Sequence, residues 1–543
     1  MAKQVKQKAK APVTPVVAPP SETVMMWKKY FPYIITGVFF ILSLIGILNH
    51  EMWRDEYQAW MVAREAHSIP ELFHNLKYEG NPVLWHAFLF GITAFTDNPF
   101  YMQLFHILIS SSSIYLINRY APFSLLQKIL LTFGYFAFFE YNIIARCYSL
   151  GLLLIVIFCI LYKERQKNLL LIGGVLFLLA NNTIFGVILT VSFAGIIIYE
   201  ALFKDKKDKS PQIPFSKLAL FSLITFAGVL LGYLQIKPEA DNSFPTLYVT
   251  HFDIVRLKYT LSRFIHAYIA IPNFRNFHFW NTNFFVPDER KFMVGVTPIL
   301  FLLWLIAFLR NRLVFLLYTA GTLILLAFYY YTGFIWSRYS GHLFLLLMAC
   351  CWMAYFTKDK PYQNGLLDKL SMFGSKIRIP FFVFILSVHV IGGVMAYVMD
   401  LEYPFSTSQN AADYIKQNKL DEYNIVGSQD YAISPLASEL DKKIYYVERK
   451  EAGSFIIYDQ KRTFVSDFGE LINFAGQVMG KDKNRVILAK SNEITKTFND
   501  TGEIAPWDVG MVTDSFNMTL LKKIEPGIVE DETYYIYAVD RVK

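Results

Sequence analysis

Long apolar runs separated by short polar loops fill the chain from Phe31 to about residue 400. A transmembrane α-helix needs about 20 consecutive apolar residues, and most of these runs approach that length. The pattern therefore predicts a polytopic α-helical membrane protein. Eleven spans are predicted, at about 31–48, 100–118, 124–141, 147–162, 168–180, 183–203, 217–236, 292–310, 312–331, 341–357 and 379–400.

One further apolar run, Val83–Phe95, is only about 13 residues long. It is too short to span comfortably, and its length suits a helix that lies in the membrane interface. A second stretch in the same loop places Tyr57, Trp60 and Arg64 on one helical face. We therefore predict two interfacial helices in the first outer loop.

The positions of lysine and arginine orient the predicted helices. If Val83–Phe95 does not cross, the basic residues of the short loops all fall on one side, which the positive-inside rule makes cytoplasmic. These residues are Arg119, Lys128, Lys163, Arg165, Lys167, Lys204, Lys206, Lys207, Lys209, Arg310, Arg312, Lys358, Lys360, Lys369, Lys376 and Arg378. The charge pattern predicts a multi-pass membrane protein with a cytoplasmic N-terminus and an extracytoplasmic C-terminal domain.

The chain divides into three predicted parts. Residues 1–30 form a basic, Pro-rich cytoplasmic tail, and residues 31–400 form the transmembrane module, with outer segments at 50–99 and 237–291. Residues 401–543 are hydrophilic, and short alternating stretches predict a soluble α/β domain there. Its predicted elements are a helix at Ala411–Gln417 and strands at Asn424–Gly427, Lys443–Glu448, Phe455–Tyr458, Arg485–Ala489 and Tyr534–Val539.

Composition supports the membrane interpretation. The chain is 54% hydrophobic and only 18% charged, against about 25% charged residues in soluble domains. Its 49 Phe and 34 Tyr exclude a disordered chain. The net charge of +8 is concentrated in short loops, so it indicates topology rather than binding to nucleic acid. The four cysteines lie in or beside apolar runs without the spacing of a zinc site.

The sharpest chemical signal is the acidic pair Asp55-Glu56, a few residues after the first predicted span. A carboxylate there lies at headgroup level, where partial desolvation lets it act as a general base. The same pair also suits the first turn of a helix, where it caps backbone N–H groups and complements the helix dipole. Both interpretations stay open at this point. Arg54, just before the pair, is a candidate substrate-binding residue.

A second candidate segment runs from Tyr78 to His86. Its Gly-Asn-Pro sequence ends one structural element and starts a helix with proline near the first turn. Glu79 and His86 on either side of this break are candidate substrate-binding residues. The alternative for His86 is an interfacial histidine whose hydrogen bonds are satisfied within the fold.

The remaining candidates mark the outer ends of other predicted spans. Glu140 and Arg146 lie between spans three and four, and Arg338 and His342 lie just before or at the start of span ten. Arginine on the outer side runs against the positive-inside trend, and a guanidinium matches the geometry of a lipid phosphate. The alternative for each arginine is a side chain that snorkels to the interface.

Taken together, these features resemble the GT-C superfamily of glycosyltransferases, multispanning enzymes that use lipid-linked sugars. The resemblance rests on the Asp55-Glu56 turn, the Gly80-Asn81-Pro82 segment with Trp85, and Arg146 between two spans. It is closest in style to bacterial protein O-mannosyltransferases and lipid A aminoarabinose transferases. Their corresponding segment carries a lysine that is absent here, where Asn81 precedes Pro82.

The resemblance implies an inverting sugar transfer on the outer face of a bacterial inner or plasma membrane. Asp55 would be the catalytic base, with Glu56 as the second candidate, and the donor would be a polyprenyl-phosphate-linked sugar. Arg146, Arg338 and His342 would neutralise the donor phosphate. The acceptor would be a hydroxyl of a protein, a glycolipid or a polysaccharide. No cofactor or metal is expected, because no spacing of Glu140 or Glu56 compels a metal site.

Two other classes of function stay open. A transporter or flippase would carry intramembrane charges along its pathway, but the predicted spans contain almost none. A polymerase or ligase for lipid-linked polysaccharides fits the composition equally well. The Asp55-Glu56 turn is the main argument against a polymerase or ligase.

Overall fold

A computed structural model describes most of the chain. It covers residues 22–203, 213–244, 248–286, 291–333, 336–363, 365–463, 468–479, 484–497, 504–506, 511–512 and 516–542. Most of the predicted basic tail and the basic loop around Lys206 lie outside the described residues.

Helices dominate the first four hundred residues. In chain order they are α1 Glu22–Asn49, α2 Arg54–Arg64, α3 Ile69–Asn75, α4 Leu84–Thr93, α5 Phe100–Tyr120, α6 Leu125–Thr132, α7 Tyr148–Tyr162, α8 Leu169–Ala180, α9 Ile184–Leu202, α10 Phe215–Ile236, α11 Ile254–Tyr268, α12 Lys291–Phe308, α13 Arg312–Thr332, α14 Ser337–Met353 and α15 Gly365–Glu402. A π-helical segment, Phe136–Glu140, follows α6. The predicted class, an apolar helical module followed by a domain with a β-sheet, is confirmed.

Six helices among the described residues are long and apolar enough to cross a membrane. They are Lys28–Asn49 in α1, α5, α9, α10, α13 and α15. Shorter apolar helices add Leu84–Thr93, Tyr148–Tyr162, Leu169–Ala180 and Gly295–Phe308. The span count of eleven therefore stays a prediction.

The helices pack around a large aromatic core that includes the fully buried Trp60, Trp85 and Trp304. Close approach of backbone segments depends on glycine at one point of this packing. A Cβ atom on Gly392 of α15 would come within 1.9 Å of the carbonyl oxygen of Ala270. Glycine thus lets α15 pass directly against the turn after α11 on its way to Asp400.

The two segments predicted to lie outside the membrane contain more structure than the sequence predicted. The first loop holds three helices, α2, α3 and α4, rather than two. Helix α3 is separate because the side chain of Ser68 caps it, accepting a hydrogen bond from Glu71 N at 3.3 Å. The second outer segment contains α11, which begins where Asp253 Oδ1 accepts a hydrogen bond from Val255 N at 2.7 Å.

The C-terminal domain is built on a mixed sheet. Its helices are α16 Ser408–Gln417, α17 Asp430–Ile433, α18 Pro435–Glu439 and α19 Phe468–Val478. Its strands are β1 Ile425–Ser428, β2 Ile444–Tyr446, β3 Glu451–Gly453, β4 Arg485–Lys490, β5 Thr495–Thr497, β6 Ile504–Pro506, β7 Met511–Val512, β8 Phe516–Lys523 and β9 Tyr535–Arg541. The order in the main sheet is β3-β2-β1-β4-β9-β8-β7, and β5 pairs separately with β6.

Strand β1 pairs in parallel with both β2 and β4. Parallel neighbours need crossover connections, and helices between the strands supply them on the two faces of the sheet. Residues of α16 and α18 pack on one face, and residues of α19 pack on the other. The predicted α/β character of the domain is therefore confirmed.

One predicted strand is wrong. Phe455–Tyr458 is an irregular segment rather than a strand. The reason is that the backbone of Ile456 pairs with a side chain instead of a strand: Ile456 N donates to Gln58 Oε1 at 2.9 Å, and Gln58 Nε2 donates to Ile456 O at 2.9 Å.

Candidate active site

Asp55 lies in the first turn of α2, which starts a few residues after α1 ends. The start of α2 is fixed by Glu56, whose Oε2 accepts a hydrogen bond from Trp53 N at 3.1 Å. Two neighbouring carboxylates therefore point in different directions. Glu56 turns back to the helix start, and Asp55 faces two arginines from distant parts of the chain.

Asp55 Oδ2 lies 2.9 Å from Arg146 Nη1 and 3.2 Å from Arg338 Nη2. Arg146 precedes α7, and Arg338 lies in the first turn of α14. The Asp55 side chain is 28% exposed, whereas those of Arg146 and Arg338 are 12% and 7% exposed. The structure thus brings together three residues that the sequence singled out separately.

The arginines control the ionisation of Asp55. Burial by itself raises the pKa of this carboxyl, but Arg146, Arg338 and Arg54 outweigh that effect and hold the pKa below its ordinary value. Asp55 is therefore ionised at neutral pH.

Arg338 is surrounded by aromatic rings. Its guanidinium carbon lies 5.0 Å from the centroid of the Trp53 ring, 5.7 Å from Trp280 and 4.9 Å from Tyr339. Trp53 and Trp280 meet edge to face at 4.6 Å. The cation is thus stabilised by ring faces as well as by Asp55, and its Nε atom has no hydrogen-bond partner among the described residues.

Glu56 belongs to a separate, sealed chain of polar groups. His50 Nε2 lies 3.1 Å from Glu56 Oε2, and His50 Nδ1 lies 2.9 Å from Asp400 Oδ2. Glu56 Oε1 accepts a hydrogen bond from Ala145 N at 2.6 Å. The side chains of His50 and Glu56 are 0% exposed and that of Asp400 is 1% exposed. Both oxygens of Glu56 are occupied, and this position favours a structural role.

His50 carries the positive charge in this group of buried polar side chains. Burial disfavours the imidazolium, but the carboxylates of Asp400 and Glu56 outweigh it and raise the pKa of His50 to about 10. The hydrogen bonds of these polar groups join the ends of α1 and α15 to the start of α2 and to the residue before Arg146. They therefore fix the backbone next to Asp55 and next to Arg146.

Glu140 lies on the other side of the aromatic cluster. Its Oε2 accepts hydrogen bonds from Tyr135 Oη at 2.9 Å and from Trp280 Nε1 at 3.1 Å, and the residue is 1% exposed. Glu140 thus orients Trp280, which in turn packs against Arg338.

Arg54 connects α2 to the C-terminal domain. Its Nη1 lies 2.6 Å from Asp531 Oδ1 and 3.5 Å from Glu532 Oε1, and Arg54 N donates to Glu532 Oε1 at 3.1 Å. Its guanidinium also lies over the ring of Tyr431, 5.1 Å from the centroid. Through these contacts Arg54 binds the C-terminal domain.

Glu79 lies close to the site through Gln58, one turn after Asp55. Gln58 Nε2 donates to Glu79 Oε1 at 2.7 Å. Burial raises the pKa of Glu79, with a further contribution from Asp55, although Gln58 and Arg146 act in the opposite direction. Glu79 therefore faces the same polar region as Asp55.

The two candidate histidines differ in position. His86, in the first turn of α4, is 3% exposed, and neither ring nitrogen has a side-chain or backbone hydrogen-bond partner of good geometry among the described residues. His342 lies one turn below Arg338, where its Nδ1 is 2.9 Å from Tyr339 O and its ring stacks on Phe185 at 4.4 Å. No contact between His342 and Asp55 is seen among the residues that the structure describes.

Sequence reasoning missed the residues that support the site. His50 was visible beside Asp55-Glu56, but nothing in its neighbourhood indicates a partner 350 residues away. Asp400 is an acidic residue at the predicted outer end of the last apolar run, and this position was the signal in the sequence that could have identified it. No signal in the sequence pointed to Trp280 or Gln58.

Among the described residues, no group of three or more His, Cys, Asp or Glu side chains could hold a metal ion. Glu56 and Glu140, the two carboxylates considered for that role, are engaged by the hydrogen bonds given above.

No protein-family model matches the chain, and no curated protein matches it significantly. The solved structures that resemble it include ArnT from Cupriavidus metallidurans bound to undecaprenyl phosphate, at a TM-score of 0.47, and the same protein in the apo state, at 0.48. Both are 11% identical in sequence, and each match covers 95% of this chain and 98% of the other.

ArnT is a lipid A aminoarabinose transferase of the GT-C superfamily, which is the class to which the sequence resemblance pointed. Both TM-scores lie below 0.5, so the function proposed below rests on this chain's own residues.

Proposed function

We propose that this protein is an inverting glycosyltransferase that moves a sugar from a polyprenyl-phosphate donor to an acceptor hydroxyl, with Asp55 as general base. The observation that carries the proposal is the contact of one partly exposed carboxylate with two nearly buried guanidiniums at the ends of apolar helices. Such a site supplies a proton acceptor and a phosphate-binding group side by side.

The donor phosphate competes with Asp55 for the same two arginines. A guanidinium presents several N–H donors that match a phosphate, and the Nε of Arg338 is still without a partner among the described residues. When Arg146 and Arg338 turn to the phosphate, their hold on Asp55 weakens and its pKa rises toward that of a free carboxyl. Donor binding thus makes Asp55 a stronger base at the time when the base is needed.

The proposed chemical step involves the acceptor hydroxyl, the donor and three side chains of the protein. The acceptor oxygen attacks the anomeric carbon from the face opposite the phosphate, and its proton passes to an Asp55 oxygen. The bond between the anomeric carbon and the phosphate oxygen breaks, and its electron pair leaves with the polyprenyl phosphate. Arg146 and Arg338 neutralise the charge that develops there. Glu79 and His86, which adjoin this region, are proposed to contact the donor or the acceptor.

We place this site on the outer face of the membrane, with eleven spans, the helices of the first loop in the interface and the C-terminal domain outside. The cluster of basic loops on the opposite side supports this orientation. A cysteine in place of the exposed Gln417 should react with an impermeant maleimide on intact cells. A cysteine in place of Lys167, whose side chain is 81% exposed, should react only after permeabilisation. The reverse pattern would contradict the orientation.

The central experiment compares Asp55→Asn with Asp97→Asn, an exposed acid in the same loop. Each purified protein is given undecaprenyl-phosphate hexoses in nanodiscs, with membrane glycolipid as acceptor, and release of undecaprenyl phosphate is measured. We expect Asp55→Asn to abolish release and Asp97→Asn to retain it. Full activity of Asp55→Asn would remove Asp55 from the mechanism.

The same assay separates the alternatives. A flippase would carry the donor across the bilayer without cleaving it, so the wild-type protein would release no undecaprenyl phosphate. A polymerase or ligase would transfer a preassembled glycan rather than a single sugar, which mass spectrometry of the product distinguishes.

A further inference from the structure

A polar cavity lies where the end of α2 meets the C-terminal domain. Its volume is about 240 Å³, which exceeds the roughly 30 Å³ that one water occupies in the liquid by about eightfold. The cavity is lined by Glu65, Asp430, Lys443, Tyr446, Arg449 and the segment 451–457.

The cavity forms at the carboxyl edge of parallel strands. Asp430 follows β1, and Tyr446 and Arg449 end and follow β2. Ligands of open α/β sheets bind outside the carboxyl ends of the strands, where neighbouring connections leave in opposite directions. The reversal point of this sheet lies between β1 and β4, and the cavity lies beside it, at the carboxyl ends of the parallel pair β1 and β2.

Polar atoms around the cavity are buried without partners. Tyr446 is 3% exposed, and its hydroxyl has no hydrogen-bond partner among the described residues. The same is true of Nε of Arg449, a second lining residue, whose Nη2 lies 2.9 Å from Asp459 Oδ2 outside the lining. Buried polar groups are normally paired, so this set indicates a ligand.

The chemistry of these atoms favours a saccharide. Arg449 Nε can only donate, the carboxylates of Glu65 and Glu451 on the lining can only accept, and the Tyr446 hydroxyl can do both. A sugar hydroxyl satisfies all three kinds of partner, because it also donates and accepts. Charged side chains on the lining disfavour a lipid tail.

The cavity is tied to Asp55 through α2. Glu65 follows Asp55 by ten residues on this helix, which corresponds to about 15 Å. Gln58, between them, holds Ile456 of the cavity wall by two hydrogen bonds. A group bound in the cavity therefore cannot react at Asp55 itself, but an acceptor that fills both places extends for about 15 Å.

We propose that this cavity binds a sugar unit of the acceptor remote from the reacting hydroxyl, so that the acceptor is a glycan or glycolipid rather than a protein. The proposal rests on the proposed transferase function and adds the class of acceptor. It assigns Tyr446 and Arg449 as residues that select the acceptor.

The test uses the full-length protein in detergent and saturation-transfer NMR with methyl glycosides of hexoses and N-acetylhexosamines. We expect at least one glycoside to bind saturably, and Tyr446→Phe to weaken its binding by about 3- to 10-fold, the effect of one lost hydrogen bond. Arg449→Lys, which keeps the charge but loses the planar donor group, should weaken binding as well. Tyr445→Phe, on the opposite face of β2, is the matched control and should bind like the wild type.

Three results would overturn the proposal: binding of none of the glycosides, binding that Tyr446→Phe leaves unchanged, or binding of short serine- and threonine-containing peptides instead. The measurement needs no donor and no turnover, and Asp55→Asn should bind glycosides normally. Loss of glycoside binding alone would therefore leave the transferase proposal intact. Absence of undecaprenyl phosphate release, with glycoside binding retained, would remove the transferase and leave the saccharide cavity.

Discussion

Asp55 and Glu56 are consecutive carboxylates in one helical turn, yet they belong to different regions of the molecule. The Asp55 region is partly open and is balanced by two arginines. The Glu56 region is sealed, and one histidine lies between two carboxylates there. The difference shows that acidity alone does not mark a catalytic group. A carboxylate with an accessible oxygen can exchange partners with a substrate, and a carboxylate whose oxygens are both bonded inside the fold holds the structure together.

The largest expected difference between the two regions is the loss of stability when a residue of each is replaced. His50→Ala leaves Glu56 and Asp400 buried without their cation, and breaking a buried ion pair in this way costs about 3–5 kcal/mol. We expect the free energy of unfolding to fall by that amount, measured by denaturant titration in micelles. Asp55→Asn should lower it less, because the carboxylate is partly exposed and the amide oxygen of asparagine can still accept hydrogen bonds from Arg146 and Arg338. Equal losses in the two variants would erase the distinction.

A second contrast uses two arginines that both lie near Trp53. Arg338→Ala removes a proposed phosphate contact, so affinity for undecaprenyl phosphate should fall by about 10- to 100-fold, the value of a charged hydrogen bond. Arg54→Ala removes contacts to Asp531 and Glu532 and should leave that affinity within a few-fold. Competition with labelled lipid in nanodiscs measures both. A larger loss in Arg54→Ala than in Arg338→Ala would exchange the assigned roles.

The two regions should also respond at opposite ends of the pH scale. The pKa of Asp55 in the free protein is below its ordinary value, so Asp55 stays ionised until the pH falls below the pKa of an ordinary carboxyl, about 3.9. The acidic limb of the pH profile of kcat/KM should therefore lie below that pH, and Arg146→Gln should move the limb to higher pH. An unchanged limb in that variant would show that Arg146 does not set this pKa.

His50 has a raised pKa of about 10 in the folded protein, against about 6.5 in an unfolded chain. Its contribution to stability is therefore fully present below about pH 6.5 and is lost as the pH rises through 10. Thermal unfolding of the wild type should show a melting temperature that falls over this range. His50→Ala should lack that part of the dependence, and a parallel fall in both proteins would assign it to another group.

The sequence predicted the open region better than the sealed one for a physical reason. Asp55, Arg146 and Arg338 each stand out as charges at the ends of apolar runs, and such ends meet at one side of a membrane. The partners of Glu56 include the backbone N–H of Ala145, which carries no residue-type signal. Likewise, the apolar stretch Phe455–Tyr458 has the composition of a strand, but only the fold shows that Gln58 takes the place of a strand partner.

The contact between Arg54 and Glu532 spans 478 residues of sequence. A ribosome makes the chain from the N-terminus, so α2 is synthesised early and waits for this partner until nearly the whole protein has emerged. The ion pairs of the side chain next to Asp55 thus depend on a segment that is made late. Nascent or truncated molecules therefore lack the contacts between α2 and the C-terminal domain, and the proposed sugar transfer should be strongest in molecules whose C-terminal domain has folded.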